Sequence, residues 1–292
     1  MQAWSRWAAT FRAVSFDPFA GLQDQQAPSP TEAVAELLAD SKRGYVPIRD
    51  VLVQREDDAP SRSAKLAEFV TSRQERALDA LLLLYALQPI HLTEEPLPLG
   101  AWANLLSTRT PCSTSTVSRT FRVLEEMRLV TRSRSGPKTV IAPLHESADG
   151  SEWFRPGSNA AVKEGFFTLP HEFWTAGYSD RLHLPGKTML LIILKETQSK
   201  QRPTFSMAVE RAQRWYGISE RTAERGYGEL GAAGLLDVQV QRKGSARLPA
   251  GVLRPIYHRA LRDPFSTSHR AELQRTAKSH GQKRVASPGG DR

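Results

Sequence analysis

Residues 113–130 read STSTVSRTFRVLEEMRLV, and residues 219–236 read SERTAERGYGELGAAGLL. With an offset of 106 positions, the two stretches agree at an initial serine, at polar positions and at apolar positions. The matched pairs are Ser113 with Ser219, Thr116 with Thr222, Arg119 with Arg225, Phe121 with Tyr227, Leu124 with Leu230 and Leu129 with Leu235. Agreement at cap, core and polar positions together indicates two copies of one module.

Each stretch is typical of an amphipathic helix that begins after a capping serine. On a helical wheel, Val117, Phe121 and Leu124 form an apolar stripe in the first copy, and arginines and serines lie on the opposite side. In the second copy the apolar stripe is Ala223, Tyr227 and Leu230. The two glycines inside the second helix, Gly226 and Gly228, either allow a close backbone approach to DNA or to another helix, or are tolerated at a cost of up to about 1 kcal/mol each.

The flanking sequence predicts the elements around each serine-capped helix. In the first half we expect helices over residues 64–87 and 99–106 before the capped helix, and a hairpin over residues 129–142 after it. In the second half we expect helices opening at Pro185 or Gly186 and at Ser206, the capped helix to Ala232, and a hairpin of residues 235–240 with 248–252. This order predicts a mainly α protein with small β-hairpin wings, made of tandem winged helix-turn-helix domains. The expected divisions are an N-terminal helical and linker region at 1–63, winged helices at 64–144 and 166–253, a linker at 145–165, and a basic, partly disordered tail at 254–292.

The charge of the chain is distributed in blocks. The chain has 40 Lys and Arg against 31 Asp and Glu, a net charge of +9 over 292 residues. Residues 109–138 hold +5, residues 195–253 hold +4 and residues 254–292 hold +6, whereas residues 1–108 hold −4. Separate basic blocks favour local contact with a polyanion over a uniform solvating surface.

The candidate DNA contacts are polar residues of the two capped helices and cations of the two hairpins. Arginine can donate two hydrogen bonds to guanine, and serine hydroxyls can reach bases or phosphates. In the first module we predict contacts by Ser113, Ser115, Ser118, Arg119, Arg122, Arg132, Arg134 and Lys138. In the second module we predict contacts by Ser219, Arg221, Arg225, Arg242, Lys243 and Arg247. The second module is equally suited to be a homodimer surface, which would place two first-module helices on successive half-sites of a palindrome.

Other classes of protein find little support in the sequence. Gly186-Lys187-Thr188 imitates the end of a phosphate-binding loop, but Arg181 occupies the position of the required glycine. The single cysteine, Cys112, cannot form an internal disulfide and is expected to be a packing residue. The apolar run that contains residues 81–87 is too short to span a membrane. We therefore expect a cytoplasmic, nucleoid-associated protein that is not an enzyme, has no metal or cofactor, and has no membrane partner.

The second copy resembles a known class of DNA-binding protein. Ser219-Glu220-Arg221-Thr222-Ala223, followed by Leu230 and Gly234, is similar to the core of bacterial winged-helix regulators of the MarR and GntR type. Residues 113–130 resemble that core less closely, with Arg128 in the position of the glycine. Phe166-Phe167-Thr168-Leu169-Pro170, ahead of an apolar helix, is similar to the approach to winged-helix domains in plasmid replication initiators, which often carry two such domains. The resemblance covers about residues 64–252 and implies winged-helix domains that bind DNA.

Three functions are therefore open. The first is a sequence-specific, double-stranded DNA-binding protein that acts as a transcriptional regulator. The second is a plasmid or phage replication initiator that binds origin repeats, and the third is a winged-helix module that binds other proteins. The sequence identifies neither an effector ligand nor a DNA target sequence.

Overall fold

The computed structural model describes residues 28–41, 43–55, 62–91, 96–136, 138–158, 164–244, 246, 249 and 251–285. This part of the chain is mainly helical and contains small two-stranded antiparallel sheets. The helices are α1 Pro30–Ala39, α2 Lys65–Thr71, α3 Glu75–His91, α4 Leu99–Leu105, α5 Thr114–Glu126, α6 Glu172–Thr175, α7 Tyr178–Arg181, α8 Leu184–Glu196, α9 Ala212–Tyr216, α10 Glu220–Ala232 and α11 Thr267–Val285. The strands are β1 Tyr45–Arg49, β2 Val130–Ser135, β3 Lys138–Pro143, β4 Phe166–Pro170, β5 Leu236–Lys243 and β6 Arg254–Leu261. Short 3-10 turns span Asp50–Leu52 and Val209–Arg211.

Two apolar helices form the centre of the molecule. In α3 every residue from Ala77 to Leu87 is buried, and in α8 every residue from Gly186 to Leu194 is buried. A helix that is apolar on all sides must be covered on all sides. Helix α5 packs against α3, and α10 packs against α8, so each serine-capped helix is attached to one of the central helices.

The predicted helix over residues 64–87 is wrong in its continuity. It is divided into α2 and α3 by a turn in which Arg73 has a φ of 56° and the Gln74 N–H donates to the carbonyl of Phe69 at 2.8 Å. That bond closes a Schellman turn, which usually has glycine in the left-handed position. Because arginine holds this position, the sequence gives no sign of the break.

Two further helix predictions need correction. Helix α3 continues through Pro89 to His91, beyond the predicted end at residue 87. The helix predicted from Ser206 to Tyr216 is a 3-10 turn followed by the five residues of α9. The capped helices and the first hairpin are confirmed, because α5, α10, β2 and β3 lie where the sequence predicts them.

The second hairpin differs from its prediction. The partner of β5 is β6, with Leu236 opposite Leu261 and Lys243 opposite Arg254, rather than residues 248–252. Strand β6 and helix α11 occupy residues for which the sequence predicted a partly disordered tail. Arg270, counted there as a tail cation, is only 1% exposed and donates to the carbonyls of Leu194 and Thr197 at the end of α8. Residues 254–285 are therefore part of the folded body.

The N-terminal region and the predicted linker are integrated into the same core. Strand β1 pairs antiparallel with β4, with Tyr45 opposite Pro170 and Arg49 opposite Phe166. The buried Arg49 guanidinium bonds Glu146 at 2.7 Å and also contacts Glu164, so both ends of the predicted linker are tied to β1. None of the described helices has both the length and the apolar character needed to cross a membrane.

Candidate nucleic-acid interface

The two serine-capped helices have the same geometry at both ends. Ser113 and Ser219 are the N-caps, and each hydroxyl accepts from the backbone N–H of the threonine three residues later at 3.2 Å. At the other end Arg128 and Gly234 are both in the left-handed region, with φ of 57° and 72°. The offset of 106 residues thus holds for backbone conformation as well as for sequence.

The outer face of α5 is a row of polar side chains. Val117, Phe121 and Leu124 are fully buried on the inner face, as predicted. Ser115, Arg119 and Arg122 are exposed on the outer face, and Ser118 is half-buried beside them. Within the described residues, neither arginine has an ion-pair partner. Their guanidinium groups are therefore available to an external acceptor.

The first hairpin is fixed to α5 by an ion pair. Arg132 on β2 donates to the Glu125 carboxylate through Nε at 2.8 Å and through Nη2 at 2.5 Å. A cleft of about 330 Å³ between helix and hairpin is lined by Ser118, Arg132 and Arg134 among others. Arg134 is exposed and has no ion-pair partner in the described structure, whereas Lys138 is half-buried. The structure therefore brings the helix and hairpin candidates together, and it gives Arg132 a positioning task within the protein.

Helix α10 has the same plan with a tighter attachment to the core. Arg221 and Arg225 are exposed on its outer face and unpaired among the described residues. On its inner face the Glu229 carboxylate accepts from the backbone N–H groups of His183 and Gly186, at 2.9 and 3.1 Å, and so caps the start of α8. The sequence alone does not show this contact, because an acidic residue late in a helix has no local signature for capping another helix.

The two glycines of α10 have different environments. A Cβ atom added at Gly226 would lie against the Pro185 carbonyl and 2.9 Å from Met189 Cβ. At Gly228 the same atom would meet nothing within 4 Å. Gly226 therefore permits the close approach of α10 to α8, and Gly228 faces open space.

The second hairpin holds its described candidates in the open. Arg242 and Lys243 are exposed at the far end of β5. Arg247 lies outside the described residues. Two cations that the sequence predicts in the basic tail have partners within the protein. Arg262 donates to Asp237 at 2.7 Å, and the Arg259 guanidinium lies over the Tyr227 ring, 3.8 Å from its centroid.

A buried ion network joins α8 to α3 and to the turn before α5. The Lys187 ammonium on α8 is 1% exposed and bonds Glu75 at 2.9 Å and Asp79 at 2.7 Å, both on α3. Arg109, in the turn before α5, donates to Glu75 at 2.5 Å and to the carbonyl of Asp180 at 2.7 Å. Burial raises the pKa of Asp79, and burial opposes the Lys187 and Arg109 cations that lower the pKa of Glu75. The sequence signal for this network is a lysine, Lys187, inside an otherwise apolar run.

Within the described chain, no group of three or more His, Cys, Asp and Glu side chains is placed to hold a metal ion. Burial raises the pKa of the Cys112 thiol, which disfavours the thiolate needed for a nucleophile.

Comparison with known proteins adds no assignment. No protein-family model and no curated protein sequence matches this chain.

Proposed function

We propose that this protein binds double-stranded DNA sequence-specifically through two winged-helix units, and that it acts as a transcriptional regulator. The observation that carries the proposal is the contrast among its arginines. Arg49, Arg109 and Arg270 are held by carboxylates or carbonyls inside the protein. Arg119 and Arg122 on α5 stand exposed without any such partner in the described structure.

The spacing on α5 suits a helix lying in the major groove. Positions 115, 118, 119 and 122 recur at three and four residues and form one stripe about 10 Å long. That length corresponds to about three base-pair steps, which is the reach of a typical reading helix. Arg119 and Arg122 supply the bidentate donors that distinguish guanine, and the serines supply short-range contacts to bases or phosphates.

The hairpin beside α5 supplies a contact to the phosphate backbone of the DNA. Because Arg132 is clamped to Glu125, the hairpin keeps its distance from the helix, and Arg134 points its charge outward beside the cleft. A phosphate contact of this kind sets the register of the protein on the duplex without reading sequence.

The second unit extends the interface in the same chain. Arg225 on α10 matches Arg119 on α5, and Arg221 adds a second exposed cation at the position that matches Ser115. The Lys187 network fixes α8 against α3. One chain can therefore present two reading helices in a fixed arrangement.

The same rigid junction supports a second candidate, a replication initiator. A single chain with two fixed reading helices can occupy direct repeats without a partner chain, as origin repeats require. A regulator of the dimeric kind would select inverted half-sites instead. The arrangement of half-sites in selected DNA separates the two roles.

The experiment is in vitro selection of duplex DNA by the full-length protein, followed by footprinting and titration. We expect a consensus sequence, and we expect Arg119→Ala to weaken binding to it by about 1–3 kcal/mol and to relax preference at one position. Arg275→Ala is the matched control, because this exposed arginine on α11 already pairs with Glu272. Recovery of no consensus would refute the proposal in favour of the protein-interaction alternative.

The test of the basic C-terminal block must keep the fold intact. Removing residues 254–292 would delete β6 and the buried Arg270, so loss of binding by that truncation would say nothing about phosphate contacts. Lys278→Ala, on the exposed side of α11, removes charge alone. Lys278→Ala should lower the salt slope by about 1 if this lysine contacts a phosphate.

A further inference from the structure

Exposed apolar side chains are concentrated on the second hairpin. Of the six large apolar residues exposed in the described part of the chain, five belong to β5, β6 or their connection. They are Val238, Val240, Val252, Leu253 and Tyr257, each between 47% and 54% exposed. The first hairpin has none of them, so this feature is not part of the repeated module.

Three of these side chains share one face of the hairpin. Val240 is directly opposite Tyr257, and Val238 lies two residues before Val240 on the same strand. At the base of this face the Arg259 guanidinium is stacked on Tyr227 of α10. Beyond Arg259, toward the tip of the hairpin, no described element covers this face. A contiguous exposed apolar surface of this kind is unusual and often marks an interaction site.

The backbone of the same hairpin is open on one edge. Strand β6 is bounded by β5 on one side and by Phe205 on the other, where Phe205 and Arg259 exchange two backbone hydrogen bonds of 2.8 Å. Strand β5 pairs with no strand other than β6 in the described structure. It therefore presents a free edge of eight residues, from Leu236 to Lys243, which is a template for another strand.

We infer that β5 pairs antiparallel with β5 of a second copy of this chain, about a two-fold axis at Val240. Antiparallel pairing must keep the apolar face continuous, and a slip of one residue would mix the two faces. With the axis at Val240, Asp237 lies opposite Lys243 of the second copy, Gln239 opposite Gln241 of the second copy, and Val240 opposite its own equivalent.

Charge complementarity selects this register among those that preserve the face. Moving the axis to residue 239 places Asp237 opposite a glutamine and leaves Lys243 without an acidic neighbour. Asp237 accepts from Arg262 through Oδ1, which leaves Oδ2 for the second copy's lysine. Lys243 has no ion-pair partner within the described chain, and both side chains are exposed.

In this dimer, part of the second hairpin binds the second copy of the chain and not DNA. Lys243 then meets a carboxylate rather than a phosphate, which differs from its predicted role as a DNA contact. The inference does not rest on the proposed function, since self-association is measured without DNA.

The test is charge exchange, read by sedimentation equilibrium of the full-length protein. We expect a wild-type dimer, and we expect Asp237→Lys and Lys243→Asp each to raise the dimer dissociation constant about tenfold or more, because each places like charges opposite one another at two symmetric positions. Mixing the two variants in equal amounts restores opposite charges at both positions. We therefore expect the mixture to form a heterodimer with near wild-type affinity, detected by native mass spectrometry.

The mixture also serves as the folding control, because only folded chains can restore the pairing. A monomeric wild type, single variants that dimerise normally, or a mixture that associates no better than its components would each overturn the inference. Loss of DNA affinity in the single variants with dimerisation unchanged would assign the hairpin to DNA and overturn it as well.

Discussion

Replacing Gly226 by alanine places a methyl group in the contact between α10 and α8. The new Cβ would lie 2.9 Å from Met189 Cβ and against the Pro185 carbonyl, a backbone atom that can yield only if the start of α8 moves. Overpacking of this kind costs about 1–3 kcal/mol. Against this stands a gain of about 1 kcal/mol for replacing glycine by alanine inside a helix.

Gly228→Ala is the matched control, because it has the same helix gain with no atom within 4 Å. The difference between the two variants therefore isolates the overpacking cost, and we expect Gly226→Ala to be less stable than Gly228→Ala by about 1–3 kcal/mol. Urea unfolding followed by circular dichroism measures both, as a shift of the midpoint at constant slope. Equal stability of the two variants would refute the assignment of Gly226 to helix contact.

Three further predictions concern the stability of the fold. Lys187→Met should lower the free energy of unfolding by about 3–5 kcal/mol, because the buried Asp79 carboxylate loses its cation while Glu75 keeps Arg109. This loss should become smaller as the pH is lowered, because the raised pKa of Asp79 favours its neutral form. Arg128→Gly should stabilise the protein by about 1 kcal/mol, because glycine adopts the left-handed conformation without strain, and Gly234→Ala should destabilise it by a similar amount. Urea unfolding should therefore give changes in the free energy of unfolding of opposite sign for the two variants, and changes of the same sign would contradict the matched turns. Burial raises the pKa of Asp50 to about 6 from its usual 3.8, so the stability contributed by its protonated form is lost as the pH rises between these two values. Asp50→Asn should remove this decrease in the free energy of unfolding, which is at most about 3 kcal/mol. A pH profile of unfolding that is the same in the variant and the wild type would contradict the prediction.

The features predicted from sequence are those set by neighbouring residues. Ser113 and Ser219 are both predicted as helix caps, and each hydroxyl accepts from a backbone N–H three residues later. The alternation of apolar residues likewise located β2 and β3. These interactions depend on spacing along the chain, which the sequence shows directly.

The features that the sequence did not show depend on distant partners. Strand β1 pairs with β4, more than 100 residues away, and no local pattern reports that pairing. Arg270 was counted with a basic tail, but the end of α8 provides carbonyls that draw its guanidinium inside. For the candidate interface, the sequence identified the exposed arginines of α5, but only the fold shows that Arg132 is held by Glu125 while Arg119 stays free.

The central claim is that α5 reads DNA through its free arginines. The direct measurement is the affinity of wild type, Arg119→Ala and Arg275→Ala for the selected duplex and for one scrambled duplex, across a range of salt concentrations. We expect Arg119→Ala to lose about 1–3 kcal/mol of binding free energy on the selected duplex and much less on the scrambled one, and we expect Arg275→Ala to change neither affinity. Equal losses by Arg119→Ala on both duplexes, or no loss on either, would contradict it.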